Sequence, residues 1–373
     1  MEEKDKIEPG ISSPTYEELL ADNEKLKSAN EHLHDMMPSM EFSNTIEGPP
    51  TSPKQMWKQA TSGDEVTTNA WEKDWIAQTE INIKEFDILN NPVLSEHRKE
   101  KYKPCIIAGS GPSLRLNVDE LAANKGDISL TSCLHNYGFF EDKGIRADYY
   151  VNLDAGDITI GEMSQGGSKS DQYYWDSTKD KVLVTGCVGH PEIHRRWQGE
   201  IKWFCPPMPT RDLGEKIFKI LGGKLVVYNV GGNSLGACMY HARAILGGNP
   251  IVFVGADFSF SSGRKMFHPF ATPYDQQFAG VNTCTDIRGH RTYTWPSYYN
   301  FKVWFDFIAC GGMGGNVGTQ WVNCTEGGIL GAYPEGNIKQ IKQMRLADFL
   351  HGYNMSDKLL DEINKQDDPV LLF

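Results

Sequence analysis

The sequence has no surplus of positive charge, no paired cysteine spacing and no long apolar run, and each absence removes a class of function. Its 49 Asp and Glu outnumber 37 Lys and Arg, for a formal charge of −12. Binding a nucleic-acid backbone needs a dense basic footprint to displace counterions, so nucleic acid is not an expected partner. Net charge averages over the whole surface, so a local pocket for a small anionic ligand stays open. The eight cysteines, at 105, 133, 187, 205, 238, 284, 310 and 324, show no CxxC spacing, which argues against zinc and fits reduced thiols. The start MEEKDKIEPG lacks the cationic and apolar parts of a signal peptide, and no stretch approaches the roughly eighteen apolar residues that span a bilayer. A cytoplasmic protein without a membrane span is the expectation.

Two nucleotide signatures are also missing. There is neither a full G-x-G-x-x-G dinucleotide fingerprint nor the Gly-Lys-Ser/Thr ending of a P-loop, so neither NAD nor a standard ATPase is indicated. What is present is an alternation of short apolar runs and helical stretches. Candidate strands are Cys105–Ala108, Ile128–Leu130, Tyr149–Leu153, Val182–Thr185, Trp203–Phe204, Leu225–Tyr228 and Ile251–Val254, with a clear helix over Ser234–Leu246. Such alternation predicts an α/β, Rossmann-like, doubly wound and mainly parallel sheet. The expected organisation is an amphipathic helix within 1–37, a Pro/Ser/Thr/Gly-rich linker over 38–68, a helical preface over 69–100, a nucleotide-binding core over 101–336 and a helical tail over 337–373. The aromatic and polar stretch 258–297 reads as a lid or insertion. The N-terminal helix, about three heptads long, is a candidate for oligomerisation or partner docking.

Four features fall at the carboxyl ends of predicted strands, where ligands of open α/β sheets bind. Gly109-Ser110-Gly111-Pro112-Ser113 follows the first strand, and its glycines allow a sharp turn that aims amides at an anion. Asp154 ends the strand ADYYVNLD with Asp157 just beyond; a carboxylate there suits a magnesium ion, a ligand hydroxyl or the capping of a loop. Gly231-Gly232-Asn233-Ser234 opens a helix whose start either faces an anion or is simply capped by Asn233 or Ser234. Asp257 ends the strand IVFVGAD. Among the histidines, His135 follows a strand and His268 and His290 fall in the lid. His190 and His194 have i, i+4 spacing, but Pro191 intervenes and no third metal ligand accompanies them; Arg195 and Arg196 beside them read as a solvated basic turn.

With these residues in hand, the chain resembles the family of the motility-associated Maf flagellin glycosyltransferases and the archaeal hydroxymethylpterin pyrophosphokinases. The resemblance spans residues 101–333 and rests on IIAGSGPSL, GIRADYYVNLD, VGGNSLGACMYHARAILGGNPIVFVGADFSF and, most specifically, WVNCTEGGILGAY. The first and third segments are also similar to bacterial sialyltransferases that use CMP-sialic acid. The resemblance implies that Gly109–Ser113 and Asn136 approach a nucleotide phosphate or ribose, that Asp154 and Asp257 lie in the cleft, and that Thr325-Glu326-Gly327-Gly328 closes it. Asp257, His268, His290 and Glu326 are then the candidates for catalysis. The expected reaction is transfer of a sugar from a nucleotide donor, with a CMP-sugar favoured, to a carbohydrate or protein hydroxyl. The alternatives are ATP- and Mg2+-dependent pyrophosphate transfer to a pterin alcohol, with metal at Asp154 and Asp157, and a non-catalytic nucleotide-binding or assembly protein.

Overall fold

Eight short parallel strands form the spine of the protein, and their order sets where a ligand can bind. The computed structural model describes residues 64–225, 227–228, 230–260, 268–269, 282–312 and 318–355. The expected N-terminal helix, most of the linker and much of the lid lie outside these residues. The strands are β1 (Cys105–Ala108), β2 (Ser129–Cys133), β3 (Tyr149–Asn152), β4 (Val182–Gly186), β5 (Glu200–Phe204), β6 (Ile251–Val254), β7 (Asn282–Thr285), β8 (Arg291–Thr294), β9 (Trp321–Asn323) and β10 (Ile341–Gln343). The main sheet runs β10-β9-β6-β1-β2-β3-β4-β5, with every pairing parallel; β7 and β8 form a separate antiparallel hairpin.

A strand covered on both faces has no solvent side to mark with polar residues, which is why CIIA and IVFV are uninterrupted apolar runs with every residue buried. The chain lays down β1 to β5 in one direction and then returns to β6 on the far side of β1. The order therefore reverses between β1 and β6, and a crevice at their carboxyl ends is the usual ligand position in such sheets.

The helices are α1 (Asp64–Glu85), α2 (Leu114–Asn124), α3 (Tyr137–Asp142), α4 (Ile158–Glu162), α5 (Asp171–Asp176), α6 (Pro191–Arg196), α7 (Arg211–Ile220), α8 (Ser234–Tyr240), α9 (Pro296–Ala309) and α10 (Leu346–Met355). One core cluster joins Ile106, Leu130 and Val252 of the sheet to Leu114 and Val118 of α2, Phe140 of α3 and Phe349 of α10. A second packs Trp203 of β5 with Leu213 and Ile217 of α7 and, from α1, Trp75, Ile76 and Ile83.

Several elements differ from the sequence expectation. The helix α1 starts at Asp64, inside the expected linker, and docks through Asn82 Nδ2 onto the carbonyls of Cys187 (2.8 Å) and Gly189 (2.9 Å). The expected helix Ser234–Leu246 is α-helical only to Tyr240 and continues as a π-turn over His241–Ile245. Ile341–Gln343, within the expected helical tail, adds a strand beside β9. The expected strand over Leu225–Tyr228 contributes the isolated bridge Cys205–Val227. No helix among the described residues is long and apolar enough to cross a membrane.

Candidate functional site

The crevice between β1 and β6 is built by close backbone contact. The amide of Gly109 donates to Val254 O (2.9 Å) and that of Gly111 to Gly255 O (2.8 Å), so the turn after β1 is zipped to the end of β6. A Cβ on Gly109 would overlap the Gly255 carbonyl, and one on Gly111 would overlap the Asp257 carboxylate. The glycines are thus required first for chain-to-chain approach.

Asp257 lies beneath this turn, 1% exposed. Its Oδ1 accepts from Ser113 Oγ (2.5 Å), and its two oxygens accept from the Ser113 amide at 3.3 and 3.2 Å. Burial pushes its carboxyl up to about 7, against the opposing pull of the Ser113 bonds. Ser113 heads α2, so the protein's own carboxylate occupies the helix start that sequence reasoning reserved for a ligand phosphate. The Leu114 amide donates to Gly111 O, and Pro112 has no amide to give. The amides of Gly109, Gly111 and Ser113 are therefore taken by the protein itself, and two side-chain atoms beside them are left unpaired. Ser110 Oγ is a buried atom without a hydrogen-bond partner, and so is Oδ1 of Asn136, whose Nδ2 donates to Gly109 O (3.0 Å), Ala108 O (3.4 Å) and Ser132 Oγ (3.1 Å). Buried polar atoms are rarely left unpaired unless water or a ligand completes them.

The segment after β9 forms the third wall. Thr325 is buried and its Oγ1 accepts from the Ala256 amide at 3.1 Å. A Cβ on Gly327 would meet Ser113 Oγ, and one on Gly328 would meet the Asp257 backbone. Glu326, a non-glycine residue at φ 59°, turns its carboxylate away to accept from Asn117 Nδ2 (3.2 Å) and from the amide of Leu346 (3.1 Å) at the start of α10. Its charge serves that junction. At the second glycine motif, Asn233 Oδ1 caps α8 by accepting from the Gly236 amide (2.8 Å), and Gly231 is pressed against Trp304 of α9. Of Gly231, Gly232, Asn233 and Ser234, Gly232 is the exposed member.

The carboxyl ends of β2 and β3 carry a different set of groups. His268 sits against the glycine turn, its Nδ1 3.1 Å from the Ser110 carbonyl oxygen. The His135 ring contacts it edge-on at 4.3 Å between centroids, and His135 Nε2 is 2.9 Å from Gln165 Oε1. Burial lowers both histidines, His135 to about 4. Asp154 is exposed and its Oδ1 accepts from the Gly156 amide at 2.9 Å, capping its loop. Asp157 faces His190 Nε2 at 2.9 Å. Of the expected magnesium pair, Asp154 caps its own loop and Asp157 is turned to His190, and no group of three or more His, Cys, Asp or Glu side chains converges among the described residues. Asp154 and Asp257 also do not share one cleft: the first is exposed at the end of β3, while the second points inward at Ser113, three strands away.

His290 lies in the turn of the β7–β8 hairpin with its side chain 67% exposed, and that hairpin docks on the third wall through Ile287 N to Gly328 O (2.9 Å) and Arg288 Nη2 to Glu326 O (2.5 Å). His194 is buried between Thr185 Oγ1 (3.0 Å) and Asn82 Oδ1 (3.0 Å), which separates it from His190 in role and ends the notion of a metal pair. Arg195 pairs with Glu85 and Glu192, and Arg196 with Asp171.

Sequence reasoning passed over Glu162 and Tyr298. Glu162 ends α4, is half-buried, and is pushed up to about 7 by burial and then by the Asp154 charge. Tyr298, on the first turn of α9, stacks on Trp295 (5.5 Å) and is raised to about 12 by burial, with Glu162 and Asp154 adding to it. The strand-end rule would have found Glu162 had it been extended from β3 into the helix that follows; Tyr298 arrives from a distant helix and has no local signal.

Residues 79–263 match the family model described as 6-hydroxymethylpterin diphosphokinase MptE-like. Among solved structures the chain is similar to the Maf glycosyltransferase from Magnetospirillum magneticum AMB-1, at 12% identity and a TM-score of 0.52, over 80% of this chain and 43% of that one. It spans less than half the length of that protein, and at this identity the likeness is one of fold. No curated protein sequence matches it. The matched segment contains β1 to β6, the glycine turn and Asp257, and over this core the chain is similar to the MptE-like family, with a fold like that of the Maf glycosyltransferase.

Proposed function

We propose that the protein is a transferase that binds a nucleotide-activated sugar at the β1/β6 crevice and transfers the sugar to an acceptor hydroxyl. The observation that carries this reading is the pair of unpartnered buried atoms at the glycine turn, Ser110 Oγ and Asn136 Oδ1. A serine hydroxyl donates to a phosphate oxygen and an amide oxygen accepts from a ribose hydroxyl, so the two match adjacent parts of one nucleotide. A CMP-sugar is the donor we favour, on the resemblance of the glycine turn and the Val230–Phe260 segment to sialyltransferases.

Of the four catalytic candidates, His268 fits the role of base. Asp257 and Glu326 are engaged in structural bonds, and His290 lies on an exposed hairpin turn. A neutral His268 that donates Nδ1–H to the Ser110 carbonyl carries its lone pair on Nε2. In the transfer, Nε2 takes the acceptor's proton while the acceptor oxygen bonds to the anomeric carbon. The bond from that carbon to the phosphate oxygen breaks, and its electron pair leaves with the nucleotide.

The MptE-like match favours a second reading, pyrophosphate transfer from ATP to a pterin alcohol. A thermal-shift screen of CMP-, UDP- and GDP-sugars against ATP with magnesium separates the two. Stabilisation by a nucleotide sugar, a CMP-sugar first, is the expected outcome. Stabilisation by ATP with magnesium alone would overturn sugar transfer, and tight nucleotide binding with no turnover would indicate a binding or assembly protein.

A further inference from the structure

Asp257 takes no part in the transfer chemistry as written, yet its carboxylate shares one turn with the atoms that would meet a phosphate. A Cβ on Gly111 would overlap Asp257 Oδ2, and Ser113 gives both its hydroxyl (2.5 Å) and its amide to the carboxylate. The wall after β9 closes on the same residue: a Cβ on Gly327 would lie 3.6 Å from Oδ1, and the Ile329 amide donates to Asp257 O (2.8 Å). Ser110, with its unpartnered hydroxyl, is the residue before Gly111, and the fully buried Asn136, with its unpartnered oxygen, holds the Gly109 carbonyl. A phosphate on Ser110 Oγ and a charge on Asp257 would therefore compete for the positive start of α2 across a single short turn.

We propose that Asp257 is a positioning residue that takes up a proton from solvent when a nucleotide phosphate docks on the glycine turn, its neutral side chain holding Ser113 in place and its ionised form weakening binding. This rests on the reading of the β1/β6 crevice as the nucleotide site. The charged and titratable groups on the segments packed around Asp257 are Arg115 on α2, Glu326 after β9, Asp286, Arg288 and His290 in the docked hairpin, and His268 at the Ser110 carbonyl. None of them is a cause of its raised value, which comes from burial, opposed by the Ser113 bonds and its own amide. With its midpoint already at about 7 in the free protein, a second anion beside it moves that midpoint higher. Binding that raises the midpoint is tighter at low pH, where the proton is already in place, and weaker above it.

Calorimetric titration of the full chain from pH 6 to pH 8.5, in two buffers of different ionisation heat, reads both affinity and protons taken up. The probe is cytidine 5′-methyl phosphate, a phosphodiester whose single charge is constant over this range. Proton uptake near pH 7 and binding about fivefold tighter at pH 6 than at pH 8 are expected for a midpoint raised by about one unit. Asp257→Asn should bind with one affinity throughout and take up no proton. Ser113→Ala removes the hydroxyl that supports the charge, so the loss of affinity should move to higher pH; this variant decides the matter alone if Asp257→Asn does not fold. A merely structural Asp257 predicts binding that is level with pH, or a profile that neither variant changes, and either result overturns the proposal while leaving the nucleotide site intact. Binding of ATP with magnesium but not of the cytidine probe would remove sugar transfer alone; the coupling is then read with ATP, whose own protons cancel between the unaltered protein and Asp257→Asn. Absence of binding by both ligands would remove the nucleotide site and the proposal with it.

Discussion

Two neighbouring regions of one sheet edge use their polar groups in opposite ways. At the β1/β6 crevice, Asp257 is bonded to Ser113, Thr325 to the Ala256 amide, and the Gly109 and Gly111 amides to the end of β6, with Asp257 and Thr325 buried. At the ends of β2 and β3, His135, Asp154, Glu162 and His268 are half-buried or exposed. The first region builds the geometry and the second presents titratable groups to whatever binds. A carboxylate at the end of a central strand is thus no sign of chemistry by itself; the direction of its side chain decides. The helix α9 shows both uses along its length, with Tyr298 beside the acidic mouth and Lys302 paired with Asp306 in the interior.

The comparison breaks hardest at that interior pair. Lys302 Nζ lies 2.6 Å from Asp306 Oδ2 with both side chains fully buried, and Asp306 also accepts from Tyr333 OH (2.7 Å) and the Gly331 amide (3.0 Å). Burial works against both charges while each supports the other. Lys302→Met strands the carboxylate and should cost about 3–5 kcal/mol in urea unfolding. A loss below 1 kcal/mol would mean that Asp306 takes up a proton and needs no cation. Next is Gly328→Ala, which puts a side chain at φ +72° into the Asp257 backbone. The expected loss is about 2–4 kcal/mol, combining left-handed strain with overpacking. An equal loss in Gly232→Ala, where φ is also positive but the nearest atom is an ordinary 3.4 Å away, would show that conformation rather than contact dominates.

Asp257→Asn gives a smaller effect shaped by pH. The folded-state value of Asp257 is raised to about 7 from the ordinary 3.8. The folded protein therefore binds this proton more tightly than the unfolded chain does, and the associated stability is complete below about pH 4 and lost as pH rises through 7. The asparagine variant cannot show that loss. Unfolding curves of the two proteins at pH 5 and pH 8 should differ in slope with pH, the unaltered protein losing more; parallel behaviour would place the titration elsewhere.

The fold was legible where burial on both faces leaves an unbroken apolar run, as in Cys105–Ala108 and Ile251–Val254, both found with the bounds expected from sequence. It was illegible where strands are three residues long, as in Trp321–Asn323 and Ile341–Gln343, or polar, as in Asn282–Thr285 and Arg291–Thr294. Such segments hold no period to count, and partners distant in sequence make them strands. At the site, the strand-end rule located Asp257 and Asp154 but not their orientation. Gly255, at φ +60°, bends the chain after β6, and the tight packing of Gly109, Gly111 and Gly328 around it turns the carboxylate inward. That geometry belongs to three segments far apart in sequence.

The smallest effect tests the open side of the comparison. Asp154 is exposed and its side chain closes a short loop by accepting from the Gly156 amide, so Asp154→Asn should change stability by no more than about 0.5 kcal/mol. Its influence should appear in Glu162 instead. Burial is the larger cause of the raised Glu162 value and the Asp154 charge the smaller, so removing that charge should lower the Glu162 midpoint while leaving it above an ordinary glutamate. Side-chain carboxyl 13C shifts followed from pH 4 to pH 9 read this directly. A midpoint that stays near 7 would assign the whole shift to burial, and a fall to the ordinary 4.5 would assign it to Asp154. Only the intermediate result makes the two carboxyls one coupled acidic mouth beside the histidine pair, as distinct from the closed carboxylate under the glycine turn.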